Sequence, residues 1–142
     1  MIVSKCIFCK ILDKEIEASF VFSNAKVTAF MDLNPINKGH VLVIPNEHHE
    51  RFSSVRSDIT AEMFLVAQKI LLAIEKSDIK CEGTNLFLSD GEVAGQEVPH
   101  SHLHIAPRFK GDGHRMGFSG SDADESSRSK LDATAKAISN LL

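Results

Sequence analysis

The chain has 142 residues, of which 43% are hydrophobic and 25% are charged, and this balance is typical of one globular domain. Its net charge of −3 argues against a nucleic-acid groove or a surface for anionic membranes. No stretch reaches the roughly 18–20 apolar residues of a membrane span, and the first residues lack a signal peptide's apolar segment. We therefore expect a cytoplasmic protein that has neither a nucleic-acid nor a membrane partner.

The predicted elements alternate short strands with helices. The longest helix is indicated by apolar residues at spacings of three and four, namely Met63, Ala67, Ile70 and Ile74. In chain order we predict a short helix within 6–12, strands at 19–22, 27–31 and 40–44, a helix at 60–76, strands at 84–89 and 98–106, and a helix near the C-terminus. This order predicts an α+β fold, a mostly antiparallel sheet with one long helix on a face.

The composition changes beyond Arg108. Residues 110–129 are rich in Gly, Ser and Asp, which favours a long loop or a partly disordered segment. We expect one domain over 1–110. Residues 111–142 then form a loop and a helix that either belong to the same domain or make a partly ordered tail.

Three histidines, His100, His102 and His104, recur at every second position. On a strand they share one face, with Leu103 and Ile105 on the other. Such a row is a polar strand face, a hydrolytic metal centre or a phosphate-chemistry site. Histidine is a good zinc ligand, but the run from 98 to 108 holds no carboxylate beside the imidazoles. A neutral imidazole is a competent nucleophile, which favours attack on phosphorus.

The three cysteines are an odd number, which argues against a disulfide framework in a reducing compartment. Cys6 and Cys9 have the spacing of one half of a zinc site. The sequence has no second pair of this kind, so histidines would have to complete it. The candidates are His48, His49 and His100, and the alternative is two reduced thiols in an apolar turn. We expect no role for the third thiol, Cys81.

Residues 94–108, which read AGQEVPHSHLHIAPR, resemble the signature of the histidine triad (HIT) superfamily. Segments 6–12, 30–35 and 39–45 resemble that family's N-terminal turn, central strands and connecting loop. The resemblance implies a HIT-like fold with a five-stranded sheet, one long helix and short N- and C-terminal helices. It also implies a homodimer.

The resemblance further implies a hydrolase that cleaves purine nucleotide conjugates at the α-phosphorus. His102 would form a nucleotidyl-histidine intermediate, and His104, His40 and Gln96 would complete the catalytic set. The implied substrate is an adenosine phosphoramidate or a diadenosine polyphosphate. The residues implied in nucleotide binding are Phe8, Ile11, Phe30, Asp32, Leu33, Ser89, Gly95, Gln96, Val98, His102 and His104.

A structural zinc held by Cys6, Cys9, His48 and His100 is implied by the same resemblance.

Two positions depart from the family pattern. Ser89 stands where relatives often have Asn or Gln, and Glu97 stands where they often have Ser or Thr. The alternatives to a hydrolase of this kind are a nucleotide-binding interaction protein with little turnover and a metal-dependent hydrolase.

Overall fold

Residues 5–117 and 122–142 are described by the computed structural model. The chain divides into two compact units, Met1–Asp112 and Gly113–Leu142. The helices and strands, in chain order, are α1 (Ile7–Leu12), β1 (Phe20–Ser23), β2 (Val27–Met31), β3 (Val41–Pro45), α2 (Ser57–Glu75), β4 (Gly83–Phe87), β5 (Leu103–Arg108) and α3 (Arg128–Ser139). No helix in these two stretches is long and apolar enough to cross a membrane.

The five strands form one sheet in the order β1-β2-β3-β5-β4, and all neighbouring strands are antiparallel. This confirms the predicted α+β fold. The central strand β3 is buried at all five positions, because the sheet is covered on both faces. The register places His104 of β5 between Leu42 of β3 and Phe87 of β4.

Each face of the sheet supports its own apolar core. On one face, α2 packs its buried residues against Val43, Leu103 and Ile105. On the other face, α1 and the preceding turn pack against Phe30 and Leu42. The side chains of α2 that are buried in the first core are Ile59, Met63, Val66, Ala67, Ile70 and Ile74. The second face carries the candidate site.

The predicted strand at 98–106 is corrected by the structure, since β5 begins at Leu103. Pro99 has no N–H to donate to a sheet. The His100 N–H instead donates to the Val98 carbonyl at 2.8 Å, and the Ser101 N–H donates to the His49 carbonyl at 2.6 Å. The chain therefore turns before the strand starts, and His100 leaves the row that the sequence predicted.

Smaller differences affect the ends of other elements. The helix α2 begins three residues earlier than predicted and β4 ends two residues earlier.

The second unit contains a 3-10 turn at Ala123–Glu125 and the predicted C-terminal helix, α3, which buries none of its residues. Part of the predicted loop at 110–129 lies outside the described residues.

Candidate active site and metal cluster

The His102 ring is held by a bond to the backbone. Its Nδ1–H donates to the His100 carbonyl at 2.7 Å, so the lone pair of a neutral ring lies on Nε2. Burial lowers the pKa of His102, against a smaller raising effect of that hydrogen bond. The rings of Phe8 and His102 pack perpendicular to each other, with 5.2 Å between ring centres. The imidazole is therefore fixed, neutral and nucleophilic at neutral pH.

A second chain of hydrogen bonds orients His104. The Ile36 N–H donates to His40 Nδ1 at 3.0 Å, which puts the proton of a neutral His40 ring on Nε2. That nitrogen lies 2.9 Å from His104 Nδ1 and donates to it. The proton of His104 is then on Nε2, at the side of the ring away from His40. The relay from a backbone amide through two rings thus makes His104 a hydrogen-bond donor.

Burial also keeps these two rings neutral. It is the largest cause that lowers the pKa of His104 to about 4, and the neighbouring His102 and His40 add to it. Burial lowers the pKa of His40 too, although the charge of Asp32 opposes this shift. The ring of Phe87 stacks on His104 at 4.2 Å with an angle of 6° between the planes. The sequence analysis did not identify Phe87, because its position depends on the pairing of β4 with β5.

Asp32 brings to the histidines the carboxylate that their own segment lacks. Its Oδ2 lies 3.5 Å from His40 Nε2 and 3.9 Å from His104 Nδ1. These three residues form one of two groups with metal-ligand spacing among the described residues. However, the ring centres of His40 and His104 are 5.2 Å apart, whereas the two facing nitrogens are 2.9 Å apart. The difference equals about two ring radii, as expected when the two nitrogens lie on the line between the ring centres. The nitrogens therefore point at each other, as in a hydrogen bond, rather than at a shared metal.

A pocket of about 160 Å³ opens beside His102 and His104. Its lining includes eight of the predicted nucleotide-binding residues: Phe8, Ile11, Phe30, Asp32, Leu33, Val98, His102 and His104. The lining residues that the sequence analysis did not predict for nucleotide binding are Ile7, Glu17, Ala18, Met31, Asn34, Leu42 and Glu97. Apolar walls with a few polar groups at one side suit a flat base that carries a phosphate.

Three predicted residues lie outside the lining of this pocket, in the loop between β4 and β5. The side chain of Gln96 accepts from the Gly91 N–H at 2.7 Å and donates to the carbonyls of Glu50 at 2.8 Å and Val98 at 3.0 Å. Gly95 adopts a left-handed conformation with φ of 90°, close to the Ser89 hydroxyl. Gln96 therefore connects two parts of the loop between β4 and β5 to each other, and it also connects this loop to Glu50.

The second group with metal-ligand spacing contains Cys6, Cys9, His48 and His100. The Nδ1 of His100 lies 3.5 Å from Cys6 Sγ and 3.6 Å from Cys9 Sγ, and His48 Nδ1 lies 3.3 Å from Cys9 Sγ. A tetrahedral zinc with bonds of about 2.3 Å to sulfur and about 2.0 Å to nitrogen separates such ligand atoms by about 3.5 Å. The cluster therefore fits a tetrahedral metal ion.

The surroundings of the cluster match those of a ligand site. The other ring nitrogen of His100, Nε2, donates to the Pro45 carbonyl at 2.8 Å, which orients Nδ1 towards the thiols. Burial, followed by the neighbouring Cys6, raises the pKa of Cys9 to about 11, so two thiolates here need a cation beside them. Of the three histidines left open by the sequence, His49 is outside the cluster and bonds to Ser54 at 3.2 Å.

His100 links the cluster to His102. Its side chain is part of the Cys-His cluster, while its carbonyl accepts the proton that fixes the His102 ring. One residue therefore belongs to the Cys-His cluster and also supplies the hydrogen-bond acceptor that orients His102. The third thiol, Cys81, lies elsewhere and donates to the Gly83 carbonyl at 3.2 Å.

Comparison with known proteins identifies relatives of this chain. The HIT domain family matches residues 13–111. A HIT-like protein of Methanocaldococcus jannaschii is 43% identical over 80% of this chain and 86% of its own length. The adenosine 5′-monophosphoramidase of Candida albicans is 32% identical over 74% of this chain and 71% of its own.

Solved structures give the same result. A HIT family protein from Bacillus anthracis superposes with a TM-score of 0.89 at 36% identity and covers 97% of both chains. A zinc-bound histidine triad family protein from Mycobacterium smegmatis superposes with a TM-score of 0.74 at 29% identity and covers 99% of both chains.

Proposed function

The chain belongs to the HIT family, and on that premise we propose that it is a nucleotidyl hydrolase that cleaves purine nucleotide conjugates at the α-phosphorus. The observation that carries the proposal is the His102 ring, which the His100 carbonyl fixes with Nε2 as the nucleophilic nitrogen beside a largely apolar pocket. The relative named as an adenosine 5′-monophosphoramidase supports this reaction class. The substrates are adenosine phosphoramidates or diadenosine polyphosphates.

In the first step, the lone pair of His102 Nε2 attacks the α-phosphorus and forms a P–N bond. The bond from phosphorus to the leaving group breaks, and the leaving group keeps the electron pair. The His104 Nε2–H, oriented by the relay through His40, donates to the phosphate and offsets its developing negative charge. The positive charge that grows on the His102 ring is stabilised through its bond to the His100 carbonyl.

In the second step, water attacks the same phosphorus. Its oxygen forms a P–O bond, the P–N bond to His102 breaks, and a nucleoside monophosphate leaves. For a phosphoramidate the amine has already left in the first step as an ammonium ion, by taking up two protons from solvent, and the two protons of water replace them. For a diadenosine polyphosphate they are released to solvent at neutral pH. His102 regains its neutral form in both cases.

The base and ribose would occupy the pocket that runs from the histidines to α1. Phe8, Phe30 and Leu42 offer apolar walls to a flat purine, and each is buried in the second core. The carboxylate of Asp32 is the acceptor proposed for the ribose hydroxyls. Its Oδ1 accepts the Asn34 N–H at 2.8 Å, which fixes the orientation of the group.

The Cys-His cluster is proposed to hold a structural zinc ion. Four protein ligands would fill a tetrahedral site, and the metal, when bound, would tie α1 to the turn before β5. The proposed reaction itself needs no metal. Two reduced, metal-bound thiols also fit the reducing cytoplasm, which is the proposed location.

A homodimer is proposed on the basis of an exposed apolar surface on α2 and β4. Phe64, Leu65, Leu72 and Leu86 are 46%, 53%, 47% and 43% exposed. β4 is an outer strand of the sheet, and its unpaired edge lies next to this surface. A second copy of the chain would cover both. Sedimentation of the protein and of its Leu65→Glu variant tests the proposal, which requires a dimer for the first and a monomer for the second.

The hydrolase proposal is tested by the release of adenosine monophosphate from an adenosine phosphoramidate. We expect turnover by the protein, no turnover by His102→Ala and a loss of about 10²-fold or more in His104→Ala, because that variant loses a charge-stabilising donor. A protein that binds the nucleotide but never turns it over would instead be the interaction protein considered above. Activity that disappears with chelator while the fold survives would favour a metal-dependent hydrolase.

A further inference from the structure

We infer that Glu97 determines the leaving group of the proposed reaction and selects an amine over a polyphosphate. The inference rests on the proposed hydrolase activity, because it concerns the part of the substrate that this activity releases. Glu97 lines the pocket that contains His102 and His104, and it also lines a second cavity that adjoins it.

The second cavity has the size and position needed for a leaving group. Its volume is about 780 Å³, and its walls come from the loop between β4 and β5 and from residues 50 and 51. Glu97 is the residue common to both linings. A conjugate bound with its nucleotide in the first pocket therefore extends past Glu97 into the second cavity when its leaving group is large.

The charges around this cavity are mostly negative. Three of its lining residues are glutamates, Glu50, Glu92 and Glu97, and one is a cation, Arg51. The Nε of Arg51 lies 3.3 Å from Asp90 Oδ1, and its guanidinium packs against the Gly91 backbone. The charge of Arg51 is thus already paired, and the described lining offers no second cation to a polyphosphate.

The two classes of substrate differ in the charge that they release. Cleavage of a P–N bond ends with an ammonium ion, and positive charge appears on the nitrogen as it takes up a proton. Cleavage of a P–O–P bond in a diadenosine polyphosphate releases a nucleotide with several negative charges. The Glu97 carboxylate lies where the nucleotide pocket meets the second cavity, and its negative charge stabilises the first and repels the second. Glu97 therefore favours an amine by charge alone.

The position of Glu97 separates its effect from a general effect of surface charge. The carboxylate of Glu17 lines the same nucleotide pocket, but it belongs to the connection between α1 and β1. The variants Glu97→Gln and Glu17→Gln remove the same unit charge from one pocket at two places. Glu97→Asp keeps the charge on a shorter side chain. Because Glu97 and Glu17 are both exposed, none of these changes removes a core contact.

The experiment compares kcat/KM for an N-alkyl adenosine phosphoramidate and for diadenosine tetraphosphate in the full-length protein and these variants. We expect Glu97→Gln to lower the ratio of the two values by about tenfold or more, while Glu17→Gln leaves it within about threefold of the wild type. Glu97→Asp should keep most of the preference for the amine. Equal melting temperatures show that the variants are folded.

Two results would overturn the inference. A ratio for Glu97→Gln that stays within about threefold of the wild type means that Glu97 does not choose the leaving group. An equal fall of the ratio in Glu17→Gln means that only the overall charge matters. Either result leaves the hydrolase proposal intact, because the wild type still cleaves a substrate. A wild type that cleaves neither compound refutes the hydrolase proposal and this inference together.

Discussion

Replacing Gln96 with methionine tests whether this side chain supports the loop or acts on the phosphate. Methionine has a similar shape and cannot form the three hydrogen bonds that Gln96 makes to the Gly91 N–H and to the carbonyls of Glu50 and Val98. A typical intramolecular hydrogen bond contributes about 1 kcal/mol to stability, and Gln96 is only partly buried. We therefore expect a loss of about 2–3 kcal/mol in the free energy of unfolding.

Such a loss corresponds to a fall of about 5–10 °C in Tm, measured by calorimetry or circular dichroism. If Gln96 only holds the loop, kcat/KM should fall by about tenfold or less, because the nucleophile and its partners are untouched. The loss of a donor that contacts the transition state costs about 10²–10³-fold. An unchanged Tm together with a loss of that size would refute the structural role and support the catalytic one.

Three further predictions concern the histidine relay, the effect of pH and the metal cluster. Phe87→Leu removes the ring stacked on His104 and with it part of the burial that lowers the pKa of His104. We expect kcat/KM to fall several-fold and the acidic limb of its pH–rate profile to move to higher pH. Folding lowers the pKa of His104 from 6.5 to about 4, so between these pH values the unfolded chain takes up a proton on this ring and the folded chain does not. The free energy of unfolding should therefore decrease as the pH falls from about 6.5 to about 4. A urea midpoint that stays constant over this range would contradict this. Cys9→Ala should bring the zinc content of purified protein close to zero and lower Tm, because metal binding contributes to folding; a variant with a full equivalent of zinc would show that Cys9 is not a ligand.

The sequence predicted the sheet and the long helix because both depend on local periodicity. The apolar spacing that includes Met63 and Ile70 survives in the structure as the buried face of α2. The start of β5 was predicted too early, because three histidines at alternate positions from residue 100 have the spacing of one face of a strand. The turn at His100 depends on Pro99 and on a bond to His49, which is distant in sequence.

The residues of the candidate site were also predicted only in part. Eight of the eleven predicted nucleotide-binding residues line the pocket, and they were predicted because segments 6–12, 30–35 and 94–108 each resemble a segment of one family. The contacts of Phe87 and Asp32 with the histidines were not, because they depend on strand register and on how residues 32–40 return to the sheet. The three loop residues Ser89, Gly95 and Gln96 were predicted beside the nucleotide, and the structure places them outside the lining of the pocket. Their part in binding stays a prediction.

In the proposed reaction His102 becomes covalently attached to the nucleotide. The most direct measurement is intact-protein mass spectrometry after the protein is mixed with an adenosine phosphoramidate and quenched within one turnover. We expect a mass increase of one adenylyl group, located on His102 by peptide mapping and missing in His102→Ala. Turnover without any adduct at all quench times, or an adduct that persists in His102→Ala, would contradict it.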